Sequence, residues 1–159
     1  MAKFVRTRWS KLKKEVESRF AKSVAGRISL FMTGYHGTHN EAGRWSIQID
    51  GVEIAGAGDR NSWQSNRARG NSDVSWEEGD AEVRSKGLHD RNSVLHSLRE
   101  YLNLSIEDAH DSPDALIRSL AILDHRTGKA RLQELRSSLL STPLEERCLK
   151  FRCDAEGIA

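Results

Sequence analysis

Ten of the twelve glycines lie between Gly26 and Gly87, and only Gly128 and Gly157 follow. Glycine suits turns and weakens helix interiors. This asymmetry alone splits the chain into a strand-and-turn part and a helical part. A chain of 159 residues has the size of one domain, so residues 1–159 are expected to form a single unit. Residues 1–87 make an α-β-β-β half with an irregular 56–87 segment, and residues 88–159 make a helical half. Leu, Ile, Val and Phe together number 35, which predicts a modest core. A formal net charge of +2 is too small to hold the chain unfolded.

Periodicity places the elements. Trp9, Leu12, Val16, Phe20 and Val24 recur at three and four, one face of a helix capped by Ser10 and stopped near Gly26. Opposite stand Lys11, Lys14, Ser18 and Lys22, a basic ridge toward solvent. Residues 27–35 alternate as a strand with Ile28, Leu30 and Met32 on one face. After a loop from His36 to Gly43, Trp45, Ile47 and Ile49 alternate again. Asp50-Gly51 is then a two-residue hairpin signal. It pairs Ile49 with Val52 and Ile47 with Ile54 on one face, and Gln48 with Glu53 on the other. Those four apolar residues are expected to pack on Trp9, Leu12, Val16 and Phe20. Between Gly56 and Gly87 only Trp63, Val74, Trp76 and Val83 stand out, which predicts a strand and a mobile loop around residues 65–72.

The second half carries helix signals. Asp90 caps a helix with Val94, Leu95, Leu98, Tyr101 and Leu102 on one face. Ser105 to Asp108 resembles a capping box, and Ser112-Pro113 starts the next helix. Its run from Ala115 to Leu123 is apolar nearly all round, the mark of a helix buried on most sides. Thr127 caps a helix to about residue 140, and Thr142-Pro143-Leu144-Glu145 opens a last one that Gly157 ends. The fold class is α+β: an N-terminal helix and a small antiparallel sheet of three to four strands, packed with four to five C-terminal helices.

Charge is as uneven as glycine. Residues 1–44 sum to +7, 45–115 to −7 and 116–159 to +2. Such a dipolar chain steers a charged partner, or holds its own halves together. No apolar run approaches the roughly 18 residues of a membrane helix, and the start of the chain lacks an apolar signal segment. Cys148 and Cys153 are five apart on one helix, too far for an unstrained bridge, and free thiols agree with a reducing compartment. These features predict a cytoplasmic chain that does not enter a membrane.

Candidate binding residues fall in two groups. Arg8, Lys11, Lys14 and Lys22 form the ridge, where they can neutralise carboxylates or phosphates. Arg126 and Lys129 belong to the polar cluster Asp124-His125-Arg126-Thr127-Gly128-Lys129, where Thr127 and a helix N-terminus can add hydrogen bonds to an anion. A structural role competes: Thr127 capping the next helix, and Asp124 holding Arg126 or Arg118. His36 and His39 have an H-x-x-H spacing that needs a further carboxylate to hold a metal, so no metal site is assigned. His96 and His110 are expected on solvated helix surface. The triplets His36-Gly37-Thr38 and His125-Arg126-Thr127 resemble the paired H-x-T motifs of two-histidine phosphoesterases, without their flanking apolar residues. No catalytic set and no cofactor motif emerges.

Three stretches resemble a family of short, functionally uncharacterised bacterial proteins. They are Arg8 to Lys14; Tyr35 to Gly51, with Thr38-His39, Gly43-Arg44 and Asp50-Gly51; and the helical half. The last includes Glu100 to Ala109, Leu120 to Asp124, Gly128-Lys129, Arg131-Leu132, Leu149 and Arg152 to Gly157. The resemblance implies no activity and no site residue. The leading expectation is a non-enzymatic cytosolic binding protein acting through its charged surface on a protein partner, with an immunity- or antitoxin-like role compatible. One alternative is nucleic-acid binding (RNA or DNA) through the basic helix. The order α-β-β-β-α resembles double-stranded-RNA-binding domains in outline, though Asp90-Arg91-Asn92-Ser93 stands where their lysine cluster would be. The other alternative is a metal- or histidine-dependent phosphoesterase or hydrolase.

Overall fold

An apolar run with no polar face has to be surrounded. The stretch Ala115–Leu123 is a helix in which every residue but Arg118 is buried. The computed structural model describes residues 8–34, 43–57, 81–82, 84–89 and 91–158. Their elements are α1 (Trp9–Glu17), β1 (Ile28–Gly34), β2 (Gly43–Ile49), β3 (Val52–Ala57), α2 (Arg91–Leu102), α3 (Ile106–His110), α4 (Ala115–Leu123), α5 (Lys129–Arg136) and α6 (Pro143–Glu156). The strands form one antiparallel sheet in the order β1-β2-β3. Helices α2, α3 and α6 pack around α4, while β1 lies on α1, β2 on α2 and β3 on α6. This is the α+β arrangement expected, with five helices between Arg91 and Glu156. Among the described residues, no helix is long and apolar enough to cross a membrane. The loop of His36 and His39, the residues Trp63, Val74, Trp76 and Val83, and the Asp90 cap lie outside the described residues.

The first helix is shorter than its periodicity. It ends at Glu17, and Ser10 lies inside it; the cap position is Arg8, whose side chain makes no capping bond. The reason is tertiary. Ala21 N–H donates to Leu123 O at 2.8 Å and His125 N–H to Arg19 O at 2.8 Å, an antiparallel bridge between Phe20 and Asp124. Extended pairing there is incompatible with a continuing helix. Phe20 and Val24 are still buried, at 5% and 0% exposure. The apolar period therefore marks burial correctly while overstating the helix.

The hairpin forms where expected. Asp50 and Gly51 both have positive φ, 51° and 82°, as a type I′ turn requires. Ile49 faces Val52 and Gln48 faces Glu53, but the register then shifts, and Ile47 faces Ala55 rather than Ile54. This irregularity has its own support. Arg147 Nη1 donates to the Ile54 carbonyl at 2.7 Å. Opposite Ser46, a Cβ on Gly56 would lie 2.8 Å from the Trp45 carbonyl, so a side chain there displaces the neighbouring strand. The shift also spreads the hairpin's apolar residues. Ile47 is 1% exposed and Val52 67%, and Ile49 and Ile54 are half-buried. The four therefore do not form one face on α1.

Two helix starts differ from the sequence signals. Asp114, not Ser112, caps α4: its carboxylate accepts from Leu116 N–H at 2.9 Å and Ile117 N–H at 3.2 Å, while Ser112 Oγ accepts from Asp114 N–H. Gly128, not Thr127, precedes α5. That helix ends at Arg136, short of residue 140. Ser105 and Thr142 cap α3 and α6 as expected, and Gly157 ends α6 in the left-handed conformation. Cys148 and Cys153 are free and buried. The contrast between two hairpin positions is testable. Replacing Ile47 with Asp should cost roughly 3 kcal/mol or more, because an unpaired charge enters the core. Replacing Val52 with Asp should change stability by about 0.5 kcal/mol or less. Denaturant melts of the two variants check both values.

Candidate functional site

The basic ridge divides at the end of α1. Arg8, Lys11 and Lys14 are exposed on the outer face of the helix, while Leu12 and Val16 are buried beneath it. Lys22 is also exposed, but on the turn that follows. Glu15 stands on the same face, 4.0 Å from Lys11. Lys13 points to the sheet side, 3.7 Å from Glu17 and 4.6 Å from the centre of the Phe31 ring.

The Asp124–Lys129 cluster is turned inward. Asp124 is fully buried. Its carboxylate accepts from Arg126 N–H at 2.8 Å, from the Arg126 guanidinium at 2.8 and 3.1 Å, and from the Tyr101 hydroxyl. Burial pushes its pKa up, but the bonds from Arg126 and Tyr101 overcome this and hold it below the usual value. The same burial, with the Asp124 bond, raises the Tyr101 phenol. Arg152, 3% exposed, donates to the carbonyls of Ile122, Asp124 and Thr127 at 2.8, 2.6 and 2.7 Å. It thus satisfies carbonyls that the end of α4 leaves open. Thr127 Oγ1 donates to Ala121 O at 2.6 Å. A hydroxyl has one proton to give, so its 2.8 Å bond to His110 Nε2 is donated by the imidazole. His110 is therefore half-buried and bonded rather than solvated, and burial, with the charge of Arg131, lowers its pKa.

Of the residues expected at an anion site here, Arg126 is paired with Asp124 and the Thr127 hydroxyl faces the core. Lys129 and His125 are exposed. Arg118 bonds Glu145 at 2.9 and 3.1 Å, not Asp124. His96 is exposed, as expected.

A second buried cluster was not foreseen from the sequence. Asp114 is 3% exposed and lies at the start of α4. It accepts from Arg84 Nε at 2.7 Å, Ser97 Oγ at 2.5 Å and His89 Nε2 at 2.9 Å. Arg84 also bonds Glu100, and the His89 carbonyl accepts from Trp45 Nε1. Ser97, His89 and Asp114 are the residue types of a hydrolytic triad, but in another order. A working triad places histidine between serine and carboxylate. Here the carboxylate is the hub, and Ser97 is fully buried. The cluster ties the 84–89 segment and α2 to α4. Asp114 does carry a helix-cap signal before Ala115; Arg84 and His89 carry none, because their partner is 25 or more residues away. Among the described residues, no group of three His, Cys, Asp or Glu side chains could hold a metal ion.

Fold and interior together define an α+β protein whose chemically versatile side chains are built into its framework. Residues 8–153 match the model of the SF0329 protein family, and the chain belongs to that family. No curated protein and no solved structure matches it.

The Asp114 cluster makes stability depend on acid. Burial raises the Asp114 pKa, but bonding to His89, Ser97 and Arg84 prevails and lowers it from 3.8 to about 2. A carboxyl depressed in the folded state contributes stability that is present above its unfolded value and lost as pH falls through the folded one. The contribution is about 2 kcal/mol, lost between about pH 4 and about pH 2. In denaturant melts across that range, Asp114→Asn should be less stable than the parent near neutrality and lose less on acidification. Equal acid losses would place the sensitivity elsewhere.

Proposed function

We propose that the protein is a non-enzymatic binding protein whose basic outer face, Lys11 and Lys14 on α1 with Arg8 at its cap position and Lys22 beyond it, meets an acidic surface on a protein partner. The observation that carries this reading is the two-sidedness of α1. Its apolar side is locked in the core, while Lys11 and Lys14 stand in solvent on the helix, Lys11 with Glu15 4.0 Å away. Binding sites on rigid elements hold their geometry better than sites on loops. The other polar concentrations, around Asp114 and Asp124, are hydrogen-bonded within the chain, which favours a framework role for them. An immunity- or antitoxin-like role is one form such binding can take. Steering by the +7 N-terminal part acts over about one Debye length and weakens with salt.

The test substitutes Lys11, Lys14 and Lys22 together by Glu. Each change should alter stability by only about 0.5 kcal/mol. Affinity for polyglutamate should fall, and the salt dependence of what remains should shrink. Tighter, steeply salt-dependent binding of mixed-sequence RNA or DNA by the parent would favour the nucleic-acid reading. Unchanged binding with a lower melting point that salt restores would mean that the lysines only balance the acidic middle of the chain.

A further inference from the structure

The exposed carboxylates of the described residues are paired within the chain, with one concentrated exception. From Asp50 with Arg27 at 2.8 Å to Asp154 with Lys150 at 2.9 Å, they lie within 4.0 Å of a cation. Glu107 and Asp108 on α3, and Asp111 directly after it, are exposed and make no such pair. Elsewhere among the described residues only Glu146 shares that condition. The base under the three is fixed. Ser105 caps α3, Ala109 is 0% exposed, and His110 turns its Nε2 to Thr127 at 2.8 Å. Arg131, whose charge reaches His110, is itself paired with Glu134 at 3.3 Å.

The basic face of α1 is the complement. Arg8, Lys14 and Lys22 are exposed with no carboxylate within 4.0 Å, and Lys11 has only Glu15 at that distance. Arg99 and Lys129 are exposed and unpaired too, but on separate helices, whereas Arg8, Lys11 and Lys14 follow one another along α1. Within one chain the two sets make no ion pair with each other, so each copy keeps both signs open. A net charge of only +2 means that copies repel each other weakly as wholes, while unlike faces attract within about a Debye length. Resting on the binding role of α1 given above, we propose that the acidic surface it meets is α3 of a second copy of this chain, with Glu107, Asp108 and Asp111 against Lys14, Lys22 and Arg8. Such a contact joins unlike faces. Two reciprocal contacts close a dimer, and a single one runs on as a chain.

Exposed ion pairs are individually weak and screened by salt, so the contact is read by sedimentation velocity at high protein concentration, at low and at high salt. The parent should self-associate at low salt and dissociate at high salt. Two variants test the faces: Lys14→Glu with Lys22→Glu, and Glu107→Lys with Asp108→Lys, each checked for folding by a melting curve. Each alone should self-associate roughly tenfold more weakly than the parent. Their equimolar mixture should recover the parent's association, because opposite signs again face each other. A monomeric parent, association that ignores salt, loss in only one variant, or a mixture no stronger than its components would each overturn the pairing. If a variant does not fold, amide shifts of the parent on dilution decide. Residues 8–22 and 105–111 should both move, and shifts in only one of the two sets overturn the pairing. A monomeric parent that still binds polyglutamate leaves the basic-face reading standing. A parent that binds neither itself nor polyglutamate overturns that reading as well.

Discussion

The structure depends on how its buried central helix is held. Apart from Arg118, which bonds Glu145 of α6, a helix as apolar as α4 has little of a polar side to set its rotation or its sliding position, because hydrophobic burial is non-directional. Direction comes from a buried aspartate at each end. Asp114 caps the N-terminus and gathers Arg84, His89 and Ser97. Asp124 follows the C-terminus and gathers Tyr101 and Arg126, while Arg152 from α6 closes the carbonyls beside it. Between them these contacts tie α2, α6 and the 84–89 segment to one helix. Each carboxylate is saturated with donors, which is the condition for burying a charge without a large penalty.

What was legible in the sequence follows from the range of the interactions. Local rules hold: Asp50-Gly51 makes the hairpin, Thr142 and Gly157 bound α6, and the 115–123 run is the core. The sequence misleads where a partner far along the chain decides. Helix α1 stops at Glu17 because residues 19–21 pair with residues 123–125, and no local signal at Ser18 announces it. Thr127 has the composition of a cap, yet its hydroxyl is drawn to the Ala121 carbonyl. The Ile47–Ile54 pairing failed by one residue, at an irregularity supported by Arg147 from α6. Of the candidate site, Arg8, Lys11 and Lys14 are exposed together as the helical period implied. Arg126, itself exposed, instead pairs with the buried carboxylate of Asp124, whose other donor, Tyr101, no spacing rule connects to it.

This division bears on function. Among the described residues, His89, Ser97, Tyr101, Asp114 and Asp124, whose types suggest chemistry when read along the chain, are drawn into the framework around α4. Lysines on α1 stay outside, on a helix anchored by Leu12 and Val16 and joined to β1 through Glu17. Under the proposed binding role, stability and recognition would rest on different residues, and the surface could be altered without loosening the core.

The most direct test of this account is a double-mutant cycle on Tyr101→Phe and Asp124→Asn, followed by denaturant unfolding. Asp124→Asn should cost about 3 kcal/mol, since it takes the charge from a buried carboxylate that accepts from Tyr101 and Arg126. Its coupling to Tyr101→Phe should be about 1 kcal/mol or more, as for groups in one hydrogen-bonded network. A small loss for Asp124→Asn, or strictly additive effects, would contradict the claim that this buried carboxylate holds the central helix in place.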